Sequence, residues 1–230
     1  MLHVVTSENR YRYADELEQS FRLRYQVFVK DRKWSNLARP DERDIDQFDD
    51  DNATYLLAIE GDERKVVGGS RLVPTTGPYL LPDVFPGLAQ QPIPRGPSVF
   101  EWGRLYVAPA RREGHGMRRT ALSRTSCLIM AGVIEYCLNE DIDQLAVISE
   151  MYLLPRFLQL GLHPKPLGLP ETIAGVATLA YTLTPSVQAL DKIKAIHGFD
   201  GTVLKKDGIT RPAVKIPAVA ARHTSQIAQT

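Results

Sequence analysis

The sequence predicts an α/β fold of the α+β sandwich kind, a mixed twisted sheet flanked by helices. Three features lead there. Short apolar runs of strand length are interspersed with stripes of helical spacing rather than alternating strictly with them. One run, residues 99–107, feeds directly into a long helical pattern, residues 116–139. Glycine and proline punctuate the connections, and no internal repeat is present.

In chain order, residues 2–6 read as a short strand. Ala14, Leu17, Phe21, Arg24 and Phe28 then recur at steps of three and four, one helix face. Arg24 stands where that face calls for an apolar residue; taken alone it reads as an arginine snorkelling from the core edge. An acid-rich loop, PDERDIDQFDDD, leads to strands at 54–59 and 66–73, separated by the turn signal Gly61-Asp62. Residues 74–97, rich in proline and glycine, predict little regular structure. The strand at 99–107 and the long helix form the centre. A strand at 145–149, a helix to residue 159 and a strand at 176–182 follow. Thr184-Pro185 starts a last helix with Val187, Leu190 and Ile193 on one face and Gly198 as its stop. These elements suggest one domain over residues 1–200, with 201–230 a loosely held tail.

Hydrophobic residues make up 43% of the 230 and charged residues 24%, an ordinary globular balance. A net charge of +1 gives no field for nucleic acid or an anionic membrane. Charge is local instead. Residues 41–51 hold seven acids and one base, and residues 111–124 hold five arginines and one acid. The start, MLHVVTSENR, lacks the long apolar run of a signal peptide, and no later stretch approaches the roughly 20 apolar residues needed to span a bilayer, so a cytoplasmic location is expected. Cys127 and Cys137 lack metal-ligand spacing and read as reduced core thiols. No metal site is predicted.

Residues 105–116, LYVAPARREGHG, combine a strand end, a turn, Arg111, Arg112, Gly114 and Gly116. Glycines admit a close ligand and free N–H groups at a helix start favour anions. This strand–V-x-P–R-x-x-G-x-G–helix arrangement resembles the acyl-CoA loop of the N-acetyltransferase superfamily. An ordinary glycine-bearing turn is the alternative.

Eight chemically unusual residues then occur in order: Arg24, Phe28, Trp34, Asp46, Asp49, Arg71, Glu101 and Arg104. All but Trp34 lie in the strings FRLRYQVF, IDQFD, RLVPTT and FEWGR. Together these resemble the signature of the autoinducer (acyl-homoserine-lactone) synthase family, to about residue 170. That family is distantly related to the N-acetyltransferases, so the resemblance implies an N-acetyltransferase-like fold. It also implies two substrates, S-adenosylmethionine and an acyl thioester, and no tightly bound cofactor. Phe28 and Trp34 suit a sulfonium and an adenine, since a cation gains about 0.5–2 kcal/mol over an aromatic face; core packing is the plainer role. Asp46 and Asp49 can hold an ammonium or pair with arginines, while Asp50 and Asp51 read as solvated. Arg71 and Arg104 can clamp a carboxylate or be exposed strand residues. Glu101 is the candidate base. Alternation puts Glu101 and Arg104 on opposite faces, so Gly103 predicts a bulge that brings them together and opens the strand.

The complete phosphate loop and the segment PKPLGLP at residues 164–170 resemble the subgroup that uses coenzyme A esters, which favours acyl-CoA over acyl carrier protein. Arg118, Arg119 and Lys165 are the residues an acidic carrier would meet. Phe100, Trp102, Ser149, Met151, Tyr152 and Leu153 are candidates for the acyl-pocket wall, with core packing the alternative for each. Two rival functions remain: an acetyl-CoA-dependent transferase acting on another amine, and a non-catalytic acyl- or nucleotide-binding module.

Overall fold

A computed structural model describes residues 1–112 and 122–205. Its strands are β1 (Leu2–Val5), β2 (Thr54–Glu60), β3 (Lys65–Pro74), β4 (Val99–Val107), β5 (Gln144–Glu150), β6 (Lys165–Pro166), β7 (Glu171–Ile173) and β8 (Val176–Leu183). The helices are α1 (Ala14–Tyr25), α2 (Leu80–Val84), α3 (Arg124–Asn139), α4 (Leu154–Gln159) and α5 (Val187–His197). All eight strands form one sheet in the order β1-β2-β3-β4-β5-β8-β6, with β7 also on β8. Neighbours are antiparallel except β4 and β5, which run parallel. This is the mixed sandwich expected.

The β2 and β3 strands are buried along nearly their whole length, which explains their continuous apolar character. On one face of the sheet, α3 and α5 place Ile129, Val133, Ile134, Leu190 and Ile193 against Leu56, Leu72 and Leu145. Gly132 lets α3 approach closely, because a Cβ there would collide with Leu2. Elsewhere, Tyr13 and Leu17 pack with Tyr55, Leu57 and Val66. Serine caps start both long helices: Ser123 accepts from Ser126 N and Ser186 from Ala189 N. Gly198 ends α5 with φ +61°, a left-handed cap glycine adopts readily. Cys127 and Cys137 are buried and carry no disulfide. Among the described residues, no helix is long and apolar enough to cross a membrane.

Three expectations need correction. The long helix begins at Arg124, not residue 116, and its cap is Ser123. The proline-rich segment contains α2, whose N-terminal amide becomes important below. The tail does not begin at residue 201: Leu204 bridges to Leu2, Val203 and Leu204 are buried, and Glu135 on α3 accepts Val203 N at 3.0 Å. These contacts hold residues 202–204 against the β1 edge of the sheet.

Candidate active site

The helix of α1 does not stop at Tyr25. It widens into a π-helical turn, Gln26–Asp31, of the kind often found at functional sites. Arg24 therefore projects from the last α-turn and Phe28 from the π-turn. Arg24 is 1% exposed, which rules out snorkelling. A guanidinium cannot be buried without partners, and the acid-rich loop supplies them. Asp49 accepts Arg24 Nη1 and Nη2 at 2.8 and 2.9 Å, a bidentate pair, and Asp44 accepts its Nε at 3.0 Å.

The same loop meets two strand arginines. Arg71 on β3 donates to both oxygens of Asp46, at 2.6 and 3.1 Å, and lies 2.8 Å from Asp49. Arg104 on β4 donates to Asp44 at 2.8 Å and to Asp46 at 2.9 Å. Arg71 is thus buried and Arg104 largely covered in a cluster rather than exposed on a strand, and Asp46 and Asp49 pair with arginines. The loop is folded to suit: Asp49 accepts Asp46 N, and Asp46 accepts Phe48 N, each at 2.9 Å. Burial opposes charge throughout, yet the opposite charges prevail. Arg24 is held above its ordinary range by Asp49 and Asp44, and Asp44 and Asp49 are held below theirs by the arginines. Asp44 went unrecognised in the sequence although it joins Arg24 to Arg104. Asp50 and Asp51 are exposed, as expected.

Glu101 and Arg104 are brought together by a bulge. Gly69 faces Tyr106, but Arg71 faces Gly103, so β4 carries one residue more than β3 across this step. Arg104 takes the left-handed conformation, φ 51°, an uncommon state for a residue with a side chain. Ser70 satisfies the polar groups displaced there, donating to Gly103 O at 2.9 Å and accepting Trp102 Nε1 at 2.7 Å. Glu101 is 3% exposed, and its Oε2 accepts Leu81 N, from the first turn of α2, at 3.1 Å. Burial raises its carboxyl to about 7; Arg71, the amides of Leu81 and Leu80, and Arg104 pull less strongly the other way.

Just past Glu101 the sheet forks. The β4 and β5 strands share only three rungs, the last pairing Glu101 with Ala146. Beyond it they part around a cleft of about 580 Å³, lined by residues 102–107 of β4 and 147–150 of β5. Phe28, Trp34, Asp46, Arg71, Glu101 and Arg104 line the same cleft. Phe28 and Trp34 are stacked, with centroids 5.1 Å apart and planes 14° apart. Trp102, Ser149, Tyr152 and Leu153 line the cleft. Phe100 instead packs against the main core and Met151 is exposed, and neither lines the cleft. Arg112 lines the cleft and pairs with Asp31 at 3.0 Å, whereas Arg111 is exposed and pairs with Glu60. Gly114, Gly116, Arg118 and Arg119 lie outside the described residues. Lys165 is exposed on β6. Among the described residues, no group of His, Cys, Asp and Glu is arranged to hold a metal.

The family model described as Autoinducer synthase matches residues 8–192. The chain belongs to the autoinducer synthase family. The isovaleryl-homoserine lactone synthase of Bradyrhizobium diazoefficiens is 40% identical over 215 residues, 93% of each chain. The solved structure of BjaI, a CoA-dependent acyl-homoserine lactone synthase with SAM and isopentyl-CoA, superposes with a TM-score of 0.82 at 40% identity. It covers 90% of this chain and 93% of that one. A Lactobacillus plantarum protein described as an N-acetyltransferase matches at TM-score 0.51 and 16% identity, over 80% of this chain and 99% of that one. That likeness concerns the fold alone.

Proposed function

We propose that this autoinducer synthase makes an N-acyl-homoserine lactone from S-adenosylmethionine and an acyl-CoA, in the cytoplasm, releasing methylthioadenosine. The observation that carries the reading is the fork: Glu101 stands at the last shared rung, and the aromatic pair lines the same cleft as Asp46, Arg71 and Arg104 of the arginine–aspartate cluster. Phe28 and Trp34 receive the sulfonium and adenine. Glu101, already tuned near neutrality, takes a proton from the substrate ammonium, through water. The freed amine attacks the thioester carbonyl, the amide forms, and the thiol leaves with a proton. Unpaired backbone N–H groups of β4 beyond Glu101 stabilise the oxyanion. The substrate carboxylate then attacks its own γ-carbon, the bond from that carbon to sulfur breaks, and methylthioadenosine departs as the lactone closes. The protein's chief task is to align the reacting atoms.

Trp102, Phe157 and Tyr181 form a chain of ring contacts, 5.9 and 6.2 Å between centroids, beside the cleft. Such bulk favours a short, branched or flat acyl group, in keeping with the isovaleryl product named for the 40%-identical relative. The test is to incubate the protein with S-adenosylmethionine and a panel of acyl-CoAs and acyl carrier proteins. Methylthioadenosine plus a lactone from a branched acyl-CoA is expected. Acyl transfer without methylthioadenosine would make it an ordinary N-acyltransferase, and preference for the carrier-bound acyl group would overturn the donor.

A further inference from the structure

S-adenosylmethionine carries a sulfonium and an ammonium against one carboxylate, so its site needs a negative group. The buried cluster cannot supply one. Arg24, Arg71 and Arg104 balance Asp44, Asp46 and Asp49. Among the described residues, three carboxylates line the cleft: Asp46, Glu101 and Glu150. Asp46 is engaged by two arginines, and Glu101 is the base and is directed at the amide of Leu81.

Glu150 remains, at the end of β5 and nearly buried. It accepts Arg32 Nη1 at 2.7 Å. The same Arg32 guanidinium lies 5.9 Å from the Phe28 centroid and 6.0 Å from that of Trp34. One cation thus already rests where two aromatic faces and a carboxylate converge. Arg104 also faces Phe28, at 5.6 Å, but Asp44 and Asp46 fix it in the interior. The Arg32 side chain is one-third exposed and follows the π-turn on an exposed stretch, so it is the cation that can be moved aside.

We propose that Arg32 is an internal stand-in for the sulfonium, and that Glu150 is the carboxylate that faces the substrate cation once S-adenosylmethionine displaces the guanidinium. The inference rests on reading Phe28 and Trp34 as the sulfonium seat. It predicts opposite effects from the two halves of one ion pair. By calorimetry, Glu150→Gln should weaken S-adenosylmethionine binding roughly tenfold, whereas Arg32→Gln should tighten it about threefold, both within the range of a cation–aromatic site. Neutral methylthioadenosine should bind all three proteins within about twofold, reporting an intact fold. Loss of S-adenosylmethionine affinity in both variants, or equal effects on methylthioadenosine, would make the pair a mere prop and overturn the proposal. Phe28→Leu separates the premise: unchanged S-adenosylmethionine affinity there would sink the sulfonium seat itself, whatever the signs at Arg32 and Glu150.

Discussion

Glu101 combines burial with an opening to the cleft, and both its chemistry and its stability cost follow. Its carboxyl titrates at about 7, so the base form appears as pH rises through neutrality. Glu101→Gln is expected to lower kcat about 10²–10⁴-fold while leaving S-adenosylmethionine affinity nearly intact, and to abolish the rise of kcat/KM across pH 7. Equal losses in kcat and affinity would make Glu101 a structural partner. Stability carries the matching signature. A carboxyl raised from 4.5 favours the folded state at low pH, and that contribution is lost as pH climbs from about 4.5 to about 7. Asp44 and Asp49 act in the other direction. Lowered from 3.8, they stabilise above that value and lose their contribution as pH falls further. Thermal melts of wild type and Glu101→Gln against pH should therefore converge at acid pH and separate above neutrality, with the variant the more stable. At this scale the sequence was partly legible. Arg24 announced itself by interrupting an apolar stripe. Asp44 did not, because nothing local distinguishes it from Asp50 or Asp51; the loop's turns and two distant arginines decide which acids turn inward.

At the level of elements, the decisive device is the β4 bulge and its support by Ser70. Ser70→Ala removes one hydroxyl but strands two groups, the Gly103 carbonyl and the Trp102 indole N–H. Each buried, unsatisfied group costs about 1–3 kcal/mol, so a loss of about 2–6 kcal/mol is expected in urea denaturation, with activity reduced because Arg104 and Trp102 lose their alignment. The cap variant Ser186→Ala, removed from the cleft, should cost only about 1 kcal/mol and leave kcat unchanged. Gly103 gave the sequence signal for the bulge, but the left-handed residue is its neighbour Arg104, a position that the glycine does not itself reveal. The main strands and α5 were readable from period and punctuation. Short elements were not: β6 and β7 span two and three residues, too few for a period to emerge. For α2, the prolines that suggested a loop hid the helical turn whose amide holds Glu101.

Across the whole molecule, local patterns are joined by contacts that no sequence window contains. The arginine–aspartate cluster ties α1, the acidic loop, β3 and β4 into one buried unit. Arg24→Met would leave Asp44 and Asp49 short of a partner and is expected to cost about 3–5 kcal/mol, seen as a large fall in Tm. At the sheet edge, Leu204→Ala should cost about 2 kcal/mol by loosening the segment that clips β1 to α3, with little change in the cleft. A melt unaffected by that change would mean residues 203–204 add nothing to the fold. The clip has no local sequence signature, and the members of the cluster stand out singly while their pairing does not, since each depends on residues tens to hundreds of positions apart.

The three-rung union of β4 and β5 has a mechanical consequence. The strands separate where a continuous ladder would otherwise brace the centre of the sheet, so an arriving acyl-pantetheine arm can act as a temporary brace as well as a reactant. The donor should then stiffen its own enzyme: backbone amides of residues 102–107 and 147–150 would exchange with deuterium more slowly in its presence, and at a hundred times Kd the fold would gain about 2.7 kcal/mol.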